Sequence, residues 1–152
     1  MKTLEKIDRK IITLAQKWYM PIARAAFFII FFYFGALKLA GLSPATPLAE
    51  ILTERTIGMQ FFDVSFTILA LIECLIGILF LVPSATRIVI ALLFIHLAVV
   101  CSPLVLVADH IWTGFLVPSL EGQYIIKNIA LVAIAIGIAA HVTPLQTPKR
   151  KR

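Results

Sequence analysis

Four long apolar runs govern what this chain can fold into: Ile22–Ala40, Val64–Val82, Ile88–Ala108 and Ile125–Val142. Each is close to the ~20 residues that a helix needs to cross the hydrocarbon of a bilayer. In lipid only helices or closed barrels satisfy every backbone N–H and C=O, and continuous runs of this length read as helices. Charged residues make up 14% of the sequence, where a soluble domain carries about 25%. The expected fold class is therefore all-α: an integral membrane four-helix bundle with an N-terminal amphipathic interfacial helix. The first run does not read as a cleavable leader, because it begins too far into the chain and no small-residue cleavage site follows it.

The net charge of +6 raises nucleic acid as a partner, but the distribution of charge points to topology instead. With four spans, both termini and the Pro83–Arg87 turn share one side. That side holds Lys2, Lys6, Arg9, Lys10, Lys17, Arg87 and the Lys149–Arg152 tail, with Arg24 at the helix edge. The other side has Arg55, with Lys38 and Lys127 at helix edges, and carries Glu50, Glu54, Asp63, Asp109 and Glu121. This asymmetry places both termini in the cytoplasm of a multi-pass inner-membrane protein. The basic tail is a topology anchor that also attracts anionic lipid.

Three segments follow. Residues 1–20 carry Leu4, Ile7, Ile11, Leu14 and Trp18 at helical spacing, with cations mostly elsewhere around the helix, which predicts an amphipathic helix in the cytoplasmic interface. A docking helix for a partner protein is the competing reading. Pro21 is expected to open the first span, and residues 21–143 form the transmembrane domain, followed by the basic tail 144–152. Between the first two spans, Thr46–Pro47 followed by LAEILTE predicts a short helix lying as a lid on the outer surface, with Thr46 as its N-cap. Trp112, Phe115 and Pro118 in the second outer loop read as an aromatic belt. Cys74 and Cys101 lie at different depths and read as small buried hydrophobes rather than a disulfide.

Glu73 sits near the middle of a run otherwise free of charge, and an intramembrane carboxyl is a functional candidate by default. Helical side chains lean toward the helix N-terminus. Lys38, on the outward-running first span, therefore leans inward, while Glu73, on the inward-running second span, leans outward. Their Cα levels differ by about 10 Å, so a buried Lys38–Glu73 pair, direct or through water, is expected. Arg24, Arg87 and Lys127 lean toward water and snorkel. His96 falls near the level of Glu73 because both are nearly equidistant from the tight turn between their helices; it is either a packing residue or a proton carrier. Asn128 adds an amide and Tyr33 a hydroxyl to the candidate site, while Gly35 and Gly77 permit close helix approach. No metal, haem or flavin motif is present in the sequence.

FFYFGALKLAGLSP (Phe31–Pro44), LIECLIGILFLVPSATR (Leu71–Arg87) and LEGQYIIKN (Leu120–Asn128) together resemble the DoxX-like family of small four-helix membrane proteins. The final segment is also similar to the related reactive-chlorine-resistance membrane proteins. The matching positions are Gly35, Lys38, Glu73, Thr86–Arg87 and Lys127–Asn128; Pro83 stands where many members have glycine. The resemblance implies a redox-associated membrane subunit, a quinone as ligand and a redox-enzyme partner subunit, with a homo-oligomer also open. Two other functions stay compatible with the residues: a scaffold or assembly factor, and a small proton-coupled transporter.

Overall fold

A computed structural model describes residues 2–144, so the basic segment 145–152 read as a topology anchor lies outside the described residues. The all-α class holds. Four helical stretches are long and apolar enough to cross a membrane: Thr3–Leu39, Met59–Phe80, Pro83–Leu106 and Leu120–Ala140.

The first element corrects the expectation of a separate N-terminal helix. α1 runs unbroken from Lys2 to Leu39, with Pro21 inside it. Pro21 removes one backbone bond, to the Lys17 carbonyl, but it lies on an exposed face, and good helix formers flank it on both sides. The 38 residues make a rod of about 57 Å, nearly twice the ~30 Å of a hydrocarbon core. At its far end Gly41, at φ +70°, lets the chain reverse. Leu42 N–H reaches the Leu37 carbonyl at 2.9 Å and Gly41 N–H the Lys38 carbonyl at 3.1 Å, closing a Schellman cap. Lys38 is thereby fixed in the last turn of the rod.

α2 (Thr46–Thr56) begins at Thr46 with Ala45 in the cap position. The hydroxyl of Thr46 donates backward to the Ser43 carbonyl at 2.8 Å, so it does not cap the helix as expected. Leu48, Ile51 and Leu52 of this helix pack on an outer cluster of Val107, Ile111 and Ile125. The short helix therefore half-buries its apolar face on the ends of the later helices.

α3 (Phe62–Phe80) and α4 (Thr86–Cys101) are joined by a 3-10 turn at Pro83–Ala85. α5 (Pro103–Leu106) and α6 (Ala108–Ile111) continue at the outer end. There the loop expected as an aromatic belt folds into a small hairpin, β1 (Trp112–Gly114) against β2 (Val117–Pro118). Its tip, Phe115, is wholly exposed, while the Trp112 indole donates to the Leu104 carbonyl at 3.0 Å. α7 (Leu120–Ile126) and α8 (Asn128–Ala140) form one rod interrupted at Lys127.

The tightest packing joins α1 to α3. A Cβ on Gly35 would lie 2.7 Å from Cys74 Sγ and 2.8 Å from the Ala70 carbonyl oxygen. A Cβ on Gly77 would lie 2.7 Å from the backbone nitrogen of Phe32. The two glycines thus set the distance between these rods from opposite sides. Phe27 and Phe80 stack across the same seam at 4.1 Å between ring centroids. Ile76, Val89, Leu93, Ala135 and Ile138 complete the central core.

Candidate functional site

α1 brings Lys38 to the bundle interior because Phe27, Phe31, Gly35 and Lys38 recur at spacings of 4, 4 and 3 and share one face. α3 presents Glu73 from the stripe Ala70, Glu73, Ile76, Gly77 and Phe80, all buried. α4 presents His96 from Val89, Leu93, His96 and Leu97, likewise buried. Three helices, each following the 3.6-residue period, therefore deliver one polar group apiece to a single level.

Lys38 Nζ donates to Glu73 Oε2 at 2.7 Å, with the two side chains 8% and 7% exposed. The expected pair is present and direct. His96 Nε2 stands 3.5 Å from the other carboxylate oxygen, Oε1, at the outer limit for a hydrogen bond. The edge of the Phe31 ring meets the imidazole at 5.5 Å between centroids. Among the described residues, His96 Nδ1 is buried without a hydrogen-bond partner. Leaving such an atom unsatisfied costs about 1–3 kcal/mol, so a hydrogen-bond donor or acceptor reaching Nδ1 would recover that cost.

The other two candidates stand apart. Tyr33 is 57% exposed, with its ring against Phe34. At 100° per residue it lies roughly 200° around α1 from Phe31 and Gly35 and faces outward. Asn128 is half-buried at the start of α8, and among the described residues no hydrogen bond links it to Lys38, Glu73 or His96.

Of the cations expected to snorkel, Arg24 is half-buried, while Arg87 and Lys127 are exposed. Arg24 donates to the Phe80 carbonyl at 3.0 Å and to the buried Thr86 hydroxyl at 2.6 Å, binding the middle of α1 to the α3–α4 turn. Arg87 donates to the Thr143 carbonyl at 2.5 Å and ties that turn to the end of α8. Lys127 is exposed as expected, its ammonium 4.9 Å from the Tyr124 ring centre. Phe31 was missed as a neighbour of the site, although its position seven residues before Lys38 would have found it.

On the outer face, Arg55 of α2 grips Asp109 with two bonds of 2.6 Å each. His110 Nδ1 lies 3.1 Å from the same carboxylate. The Arg55 guanidinium, above all, holds the Asp109 carboxyl below the usual carboxylate range.

Chemically, the inner site is one carboxylate and one imidazole with an ammonium already on the carboxylate. That cation occupies the charge a metal ion would need, so the donor set suits proton exchange or a neutral polar ligand better than a cation. Fold and site together define a class: an all-α protein with four helices of membrane-spanning length around a buried lysine–glutamate–histidine group. Comparison with models of known families, with curated proteins and with solved structures finds no match to this chain.

Proposed function

We propose that the chain is a multi-pass protein of the inner membrane, both termini cytoplasmic, serving as a DoxX-like redox-associated subunit. In this reading Lys38, Glu73 and His96 exchange a proton with a quinone-type ligand, and electrons pass to or from a partner subunit. The observation that carries it is the unpartnered, buried His96 Nδ1 beside a closed ion pair. A ligand hydroxyl donating to Nδ1 leaves Nε2–H directed at Glu73 Oε1. If the proton transfers fully, the imidazolium forms against a carboxylate instead of in bare hydrocarbon. Lys38, donating to Oε2, offsets part of the cost of charge on Glu73 in that role.

The test is equilibrium binding of a short-chain ubiquinone and its quinol to the chain in lipid nanodiscs. His96→Ala and Glu73→Gln should each weaken binding by about tenfold or more, the value of one charge-assisted hydrogen bond. Tyr33→Phe, on the outward face, should leave it unchanged. Equal affinity in all four proteins would remove the quinone reading.

The direct 2.7 Å contact also supports a second reading, in which the pair only pins helix register within a scaffold. Lys38→Met/Glu73→Gln separates the two. Under the first reading it should keep sharp, native-like side-chain NMR signals while quinone binding falls by about tenfold or more; under the second it should loosen helix packing and broaden those signals.

A further inference from the structure

The rod α1 projects beyond the bundle. In its first half, Leu4, Ile7, Ile11, Leu14 and Trp18 are 49–72% exposed, and among the described residues no other element covers them. Roughly 24 Å of helix, residues 3–18, stands in the open, while Tyr19 and Met20 already pack on the central core. With Ala15 these side chains fill an arc of about 100°, wider than the narrow seam of a two-stranded coiled coil. Arg9 and Lys6 lie away from the arc, Lys17 and Lys10 flank its Leu14 edge at about 60° and 40°, and Asp8 borders the other edge. The segment holds five cations, Lys2, Lys6, Arg9, Lys10 and Lys17, against two acids, Glu5 and Asp8. A second copy would bring the same excess of positive charge, whereas an anionic surface complements it.

We infer that Leu4–Trp18 docks on a bilayer surface rich in anionic lipid, bending from the axis of α1 in the turn Lys17–Pro21; this rests on the membrane reading above. Pro21 cannot donate to the Lys17 carbonyl, so the turn Lys17–Pro21 is the weakest in α1, and a bend just before Tyr19 leaves that residue's hydroxyl on the Ile134 carbonyl. Once bent, the apolar arc enters the headgroup boundary while Lys6, Arg9, Lys10 and Lys17 face the lipid phosphates and water. Each cation should strengthen docking about fivefold.

The experiment uses the full chain in vesicles of phosphatidylcholine alone or mixed with phosphatidylglycerol. Trp18 emission is taken as the difference between the chain and Trp18→Phe, with quenching by lipids brominated near the headgroup. Ile95→Trp, quenched by bromines deep in the acyl chains, reports separately on whether the bundle spans the bilayer. The expected result is Trp18 quenching that needs phosphatidylglycerol, weakens with salt, and falls in Lys6→Gln/Lys10→Gln/Lys17→Gln and in Pro21→Ala. A solvent-like Trp18 in both vesicles, with Ile95→Trp quenched, overturns the docking while leaving the membrane reading intact. An unquenched Ile95→Trp overturns both. Leu14→Cys crosslinks between copies, with Trp18 unquenched, would assign the face to a second copy instead. Docking unchanged by Pro21→Ala would overturn the hinge.

Discussion

At the scale of single residues, the site couples two opposite demands. Lys38 and Glu73 are each tolerable in the interior only because the other is there. Glu73→Gln strands an ammonium and should lower stability by about 3–5 kcal/mol. Lys38→Met/Glu73→Gln should recover most of that loss, because no unpaired charge remains. Thermal unfolding of the purified protein in one detergent checks both, and a double variant as unstable as the single would refute the pair as the cause. Gly77→Ala is a purely steric counterpart: its Cβ meets Phe32 backbone, which cannot swing aside, at 2.7 Å. It should cost about 1–3 kcal/mol, measured as a lowered Tm. The pair was legible in the sequence because side-chain lean and helix direction give opposite signs to two charges. Tyr33 was misread because depth was considered without phase: its level suits the site, but its angle around α1 does not. The burial of His96 Nδ1 away from polar side chains was not legible at all, since it depends on how three helices rotate toward one another.

At the scale of elements, the apolar runs announced the spans, and apart from the start of the first their bounds shift by only a few residues. What the runs could not give was continuity. Pro21 is permitted both as the first residue of a helix and inside one, and only the surrounding turns decide between them. The outer lid was legible as a helix but not in its docking, because Arg55 and Asp109 are 54 residues apart in sequence. This ion pair makes a pH prediction. Asp109 titrates lower in the folded protein than in the unfolded chain, so its stabilising contribution is full above the ordinary Asp range, near pH 3.9. It is lost as pH falls through the depressed native value. Trp112 packs in the same outer cluster as α2. Its emission should therefore hold steady through mild acid and change only well below pH 4. In Arg55→Gln the change should begin nearer the ordinary Asp value; an unaltered profile would show that the latch does not hold the lid.

For the molecule as a whole, the decisive fact is how little of the apolar helices is covered. Only 17–28% of the residues in the four spanning windows are buried. Ile88, Ile95 and Ile129 are 69%, 67% and 75% exposed, a surface that water would not tolerate as contiguous patches. The same faces are ordinary if lipid is the solvent, and this difference can be measured at one residue. Ile95 adjoins His96 in α4 but points away from the bundle, so a substitution there touches nothing in the site. On a water-facing helix Ile95→Lys would change stability by no more than about 0.5 kcal/mol. Facing the middle of a bilayer it should cost about 2.5–3.5 kcal/mol in insertion. The fraction of chain that inserts into microsomal or inner-membrane vesicles reads the difference directly. Lys127, at a helix edge with its ammonium beside Tyr124, provides the internal contrast: Lys127→Ile should insert at least as well as the parent chain. Free tolerance of Ile95→Lys would mean that the uncovered faces meet another protein or water rather than lipid, and the reading of Lys38, Glu73 and His96 as an intramembrane site would have to be withdrawn with it.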